Sequence, residues 1–155
     1  MKTYRRILIP LPADGRGEIL LRRAAELLPA SRGDMMVVRV LDTRHGFESD
    51  GPAGSLPGER VARQVPGVKK RLDLLLARNN LAWAESRILC GEPRPAMAEF
   101  IRAWKPDLVV TCADLAPEQL ANDLSGEPPD ILTLKCHGLF NRLGDAFGLA
   151  AHGHA

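Results

Sequence analysis

The chain has 155 residues, 45% hydrophobic and 26% charged, with a net charge of +2, which suits one globular domain large enough for a proper core. Basic and acidic residues are interspersed rather than gathered into a stripe, which argues against nucleic acid as a partner. No apolar run approaches the length that spans a bilayer, and Met1 to Arg6 lead into a run too short for a signal-peptide core, so a cytoplasmic protein without membrane insertion is expected.

From the N-terminus, Ile7 to Leu11 is a compact apolar run followed by the turn residues Pro12 to Gly17, which reads as a strand and a loop. Leu20, Ala24, Leu27 and Leu28 then form one helical stripe between about Glu18 and Pro29. Met35 to Leu41, rich in valine, gives a second strand and closes the first βαβ unit. Thr43 to about Gly58 is rich in glycine and has no periodicity, the pattern of a long loop. Val61, Val65, Val68, Leu72, Leu75 and Leu76 recur at three and four, predicting a second helix whose start is interrupted by Pro66-Gly67. Lys69, Lys70, Arg71 and Arg78 decorate it, either as a solvated outer face or as a phosphate-binding cluster. Trp83 to Cys90 reads as a third strand.

The stretch from Gly91 to Ala113 organises the rest. Met97, Phe100, Ile101 and Trp104 sit at helical spacing behind Pro93 and Pro95, where proline is tolerated at a helix start. Lys105-Pro106-Asp107 stops that helix, and Leu108 to Cys112 reads as a strand buried on both faces. Pro117 to Leu124 offers about two turns of a shortened fourth helix, with Leu120 and Leu124 on one side, and Ile131 to Cys136 is a fifth strand. This alternation predicts an α/β fold: a single-domain open parallel sheet with helices on both faces. Residues 1–137 form that domain, and 138–155 are a C-terminal tail. In the tail, Leu139, Phe140, Leu143 and Phe147 recur at helical spacing, fit to pack on the chain's own sheet or to contact a second subunit or partner protein.

The run Ile7-Leu8-Ile9-Pro10, with Glu18 eight residues beyond the proline, Val37-Val38-Arg39-Val40 before a long loop, and Gly91-Glu92-Pro93 before a helix ending in Asp107-Leu108-Val109-Val110 together resemble the universal stress protein family. That resemblance implies a five-stranded sheet in the order 3-2-1-4-5, a cytoplasmic protein and a homodimer, often formed along the last strand. Members that bind ATP carry an aspartate two residues beyond the first-strand proline and a glycine-rich loop after the fourth strand, where backbone N–H groups cradle phosphates. Here Pro12 occupies the first position, with Asp14 two residues late. The second reads Thr111-Cys112-Ala113-Asp114-Leu115-Ala116-Pro117-Glu118, with Gly126 alone and followed by Glu127. Asp114, Glu118, Asp123 and Glu127 add negative charge where phosphates need positive partners.

In such sheets ligands gather beyond the carboxyl ends of the strands, which makes Pro10, Leu11, Val40, Thr111, Cys112 and Ala113 the candidate crevice. Cys112 and Cys136 end neighbouring strands in the implied order, which allows a thiol switch, whereas Cys90 lies on the far edge; buried cysteines also serve simply as small hydrophobes. No metal site is expected: His45, His137, His152 and His154 do not form a preorganised set. Ser31, Ser49, Ser55, Ser86 and Ser125 lack a nucleophile-elbow context, so no catalytic residue is expected. The leading expectation is a non-enzymatic regulatory or accessory protein that acts by dimerisation and protein contact, with no cofactor and no tight ATP binding. The alternative is a sensor that holds ATP, AMP or another small molecule in the crevice at the carboxyl ends of strands one and four.

Overall fold

The computed structural model describes residues 3–12, 17–27, 33–43, 57–112, 120, 122–124, 126 and 128–135. Eight elements follow in order: β1 (Arg6–Pro10), α1 (Gly17–Leu27), β2 (Asp34–Asp42), α2 (Pro57–Arg78), β3 (Glu85–Gly91), α3 (Pro93–Trp104), β4 (Leu108–Cys112) and β5 (Asp130–Leu134). All strand pairs are parallel, and the five strands lie in the order β3-β2-β1-β4-β5.

Period-two alternation divides the strands between two cores. Ile7, Ile9, Met35, Val37, Leu108, Val110 and Cys112 pack with Leu20, Leu21 and Ala24 of α1 and Leu72 and Leu76 of α2. Leu8, Met36, Val38 and Val109 face the other way, against Met97, Ala98, Phe100 and Ile101 of α3 and Leu120 and Leu124. Helices therefore cover both faces, and the central strands β1 and β4 are buried almost throughout. Leu120, Asn122 and Asp123 are helical, and Leu120 and Leu124 pack on the α3 face; residues 117–119 and 121 of the expected fourth helix lie outside the described residues.

Local chemistry sets the ends of α3. Gly91 adopts φ 147°, a conformation that side chains rarely allow, and turns the chain from β3 into Glu92 and Pro93. Glu92 is extended and offers no side-chain cap, but its carbonyl accepts from the N–H of Ala96. At the other end Lys105 is left-handed, its N–H donates to Ile101, and Pro106 prevents further turns.

Three expectations need correction. The second helix is not interrupted at Pro66-Gly67: α2 runs unbroken from Pro57, inside the expected loop. Pro66 and Gly67 lie exposed, while Val61, Val65 and Val68 pack with Leu41 and Ile88, so burial on one face outweighs the lost hydrogen bond. Trp83 does not begin a strand but stands 56% exposed in the turn before β3. The fifth strand ends at Leu134, before Cys136. The rest of the expected loop, residues 44–56, and the tail 138–155 lie outside the described residues.

At the amino ends of the strands the sheet is fastened by side chains. The Asp107 carboxylate accepts from the backbone N–H groups of Arg5 (2.8 Å) and Arg6 (2.9 Å). The Arg6 guanidinium lies 4.1 Å from the Trp104 ring centroid and donates to the Trp104 carbonyl at 2.7 Å. Tyr4 donates to Asp130 at 2.8 Å, joining the N-terminus to β5. Because Asp107 satisfies two main-chain donors, Asp107→Ala should lower stability by about 1–3 kcal/mol in urea unfolding. Exchange of its neighbour Lys105 for glycine, which suits the left-handed conformation, should cost far less; equal effects would show that Asp107 is not a fastening point.

Candidate functional site

The crevice arises where two neighbouring strands part. β1 and β4 pair only at Ile7 with Leu108 and Leu8 with Val109. The Leu11 N–H donates to Val38 of β2 at 2.8 Å, so by alternation the backbone nitrogen of Pro10 faces β4, and proline has no hydrogen to give. The strand order reverses here, between β1 and β4, which is where open α/β sheets hold ligands.

The resulting cavity has a volume of about 170 Å³ and is lined by Pro10, Leu11, Pro12, Val38, Arg39, Val40, Pro93, Arg94, Met97, Thr111 and Leu120. Pro10, Leu11, Val40 and Thr111 of the expected crevice come together around it. Cys112 does not: one residue beyond Thr111, its side chain points to the opposite face and is buried at 1% exposure against α1 and α2. Ala113 lies outside the described residues. Sequence reading missed Arg94, Met97 and Leu120, whose contribution depends on how α3 and the segment after β4 settle on the sheet.

Arg94 closes one side. Its guanidinium donates two hydrogen bonds to the Asp123 carboxylate, Nε at 3.1 Å and Nη2 at 2.9 Å, and Arg102 donates to the Asp123 carbonyl at 3.3 Å. The cation at this rim is thus matched by a carboxylate of the same chain. Leu120 is 7% exposed and belongs to the α3-side core, so the segment after β4 presents an apolar side chain to the cavity.

The opposite face carries an open groove of about 840 Å³ between the start of α1 and α2, bordered by Gly17, Arg71, Leu74 and Arg78 among others. Arg78 bonds Glu18 across this groove, and Arg22 also approaches Glu18. Lys69 pairs with Asp73 at 3.0 Å and also donates to Ser86, whose hydroxyl donates to Asp73 at 2.6 Å. The basic residues of α2 therefore have separate settings: Lys69 and Arg78 are engaged with carboxylates, while Lys70 is exposed.

The expected thiol switch needs Cys136, so it falls outside the described residues. Cys112 is buried, Cys136 lies outside them, and Cys90 is exposed on edge strand β3. Partial burial of its sulfur raises the Cys90 thiol above its usual value, which disfavours the reactive thiolate. Among the described residues no group of three or more His, Cys, Asp and Glu side chains gathers to hold a metal ion, and no helix is long and apolar enough to cross a membrane.

The family model for the universal stress proteins matches residues 3–113, and the chain belongs to the universal stress protein family. Solved structures share the fold at low identity. The protein described as hypothetical protein MJ0577 is 13% identical, with a TM-score of 0.70 over 88% of this chain and 99% of its own. Universal stress protein UspA from Lactobacillus plantarum is 14% identical, with a TM-score of 0.60 over 87% of this chain and 100% of its own. A universal stress protein in complex with cAMP is 17% identical, with a TM-score of 0.58 over 88% of this chain and 100% of its own. No curated protein matches the chain at a significant level.

The two engaged carboxylates give a pH dependence. Hydrogen bonding from Arg78 holds the Glu18 carboxyl below its usual value, and hydrogen bonds from Ser86 and then Lys69 do the same for Asp73. The unfolded chain therefore binds more protons near pH 4, so stability is complete well above the ordinary carboxyl range and falls as pH drops through and below about 4. Both pairs are solvent-exposed and their effect is small. Urea midpoints measured against pH should show a shallower acid decline in the double variant Glu18→Gln, Asp73→Asn; an unchanged slope would deny these pairs a part in acid stability.

Proposed function

We propose that this chain is a non-enzymatic regulatory or accessory universal stress protein that works through self-association and protein contacts, without tight binding of ATP in its crevice. The size and lining of the crevice carry this reading. A cavity of about 170 Å³ falls well below the roughly 300–1,000 Å³ usual for clefts that enclose drug-sized ligands. Met97 and Leu120 occupy its walls, and Asp123 already takes up the Arg94 guanidinium. A triphosphate would meet an apolar wall and a carboxylate in place of the amide cradle that the ATP-binding members carry.

The edge position of β5 supports a homodimer. Its one neighbour in the sheet is β4, and Ile131, Leu132 and Thr133 remain half-buried. An edge strand of this kind can pair with a second copy through its free main-chain groups. In this reading residues 1–137 form the dimerising domain, and the tail 138–155 packs on it or meets a partner protein in the cytoplasm. The thiols Cys112 and Cys136 then serve as packing groups rather than as a switch.

A second reading has one observation in its favour: a universal stress protein of this fold was solved with cAMP. The present crevice would then act as a nucleotide sensor without a glycine loop. Thermal melting with ATP, AMP and cAMP separates the two. The leading reading predicts no change in melting temperature with any of them, and a dimer in sedimentation equilibrium. A rise of several degrees with ATP or cAMP, or a monomer at all concentrations, would contradict it.

A further inference from the structure

We propose that the small crevice binds a neutral molecule the size of a single aromatic ring, bearing one hydroxyl or carbonyl group that hydrogen-bonds to Thr111. The proposal rests on the reading that no nucleotide fills this crevice. Thr111 is the starting point. It is 1% exposed and the sole polar residue buried among the described residues. Strand alternation turns its side chain to the α3 face together with Val109, and it lines the cavity. Its hydroxyl makes no hydrogen bond with another described residue. A hydroxyl withdrawn from water and without a bond to any described residue carries a desolvation penalty, which a ligand group could relieve.

The surroundings restrict what that ligand can be. Pro10, Val38, Val40, Met97 and Leu120 supply apolar walls. Water is a poor occupant, because an ordered buried water needs about two to four polar partners. Both arginines of the lining are already in use: Arg94 by Asp123, and Arg39 in an interaction of its own. An anion would have to displace a bidentate carboxylate, and a cation would find no counter-charge among the described lining residues. Size points the same way. An apolar cavity of about 150 Å³ accommodates benzene or xenon, and this one, at about 170 Å³, has room for a ring with one polar substituent.

The test uses the full chain with phenol, toluene and benzoate at millimolar concentrations, read by saturation-transfer NMR and by melting temperature. Phenol should bind, toluene should bind about fivefold more weakly for want of one hydrogen bond, and benzoate should not bind. Thr111→Val, which keeps the side-chain shape, should reduce phenol to the level of toluene and melt no lower than the native chain. Val40→Phe, which fills the cavity, should abolish both. Equal phenol binding by the native chain and Thr111→Val, or no binding of any probe by the native chain, would overturn the proposal. ATP displacing bound phenol would instead overturn the reading that the crevice excludes nucleotides, while supporting the role of Thr111.

Discussion

The short pairing between β1 and β4 is the constraint on which the rest of the structure depends. Two residue pairs, Ile7 with Leu108 and Leu8 with Val109, join the halves of the sheet. These four side chains are at most 2% exposed, and each contributes about 1.5–3 kcal/mol by burial. Beyond them Pro10 presents a nitrogen with no hydrogen toward β4, so the strands part and the crevice opens at the point where the strand order reverses. One residue thus sets both the end of the join and the start of the site.

The two ends of the sheet are built to different purposes. At the amino ends, Asp107 holds two main-chain N–H groups, Arg6 bridges to Trp104 and Asp34, and Tyr4 reaches Asp130. These contacts join both halves of the sheet and fix its register. At the carboxyl ends, side chains fill the space instead: Met97 and Leu120 enter from the α3 side, and Arg94 is tied to Asp123. The fold of the universal stress proteins is retained, and the described residues around its crevice enclose about 170 Å³ with a largely apolar lining.

Much of this was legible in the sequence where local pattern and tertiary demand agree. Leu108 to Cys112 reads as a strand buried on both faces and is one, because every residue is apolar or small enough to enter a core. The α3 helix follows from Met97, Phe100 and Ile101 at helical spacing between Pro93 and Pro106. Legibility stopped where long-range packing decides. The continuous α2 depends on Leu41 and Ile88 receiving Val61 and Val68 across Pro66. A strand end alone suggests that Cys112 faces the crevice, but the phase of the alternation turns it away and leaves Thr111 facing in. The Arg94 to Asp123 pair spans 29 residues, and no local pattern announces a partner at that distance.

Charge and volume are the grounds of the proposal that the crevice holds no triphosphate. In that proposal the departures at Pro12 and after β4 are taken as loss of the glycine cradle; Leu120 lines the cavity, and Asp123 engages Arg94 at its rim. Native mass spectrometry of the protein as purified tests this most directly, since it reads the mass of whatever the folded chain retains. The account predicts the mass of the polypeptide, as a dimer, with no adenine nucleotide attached. A species carrying ATP or AMP in proportion to the folded protein would contradict it.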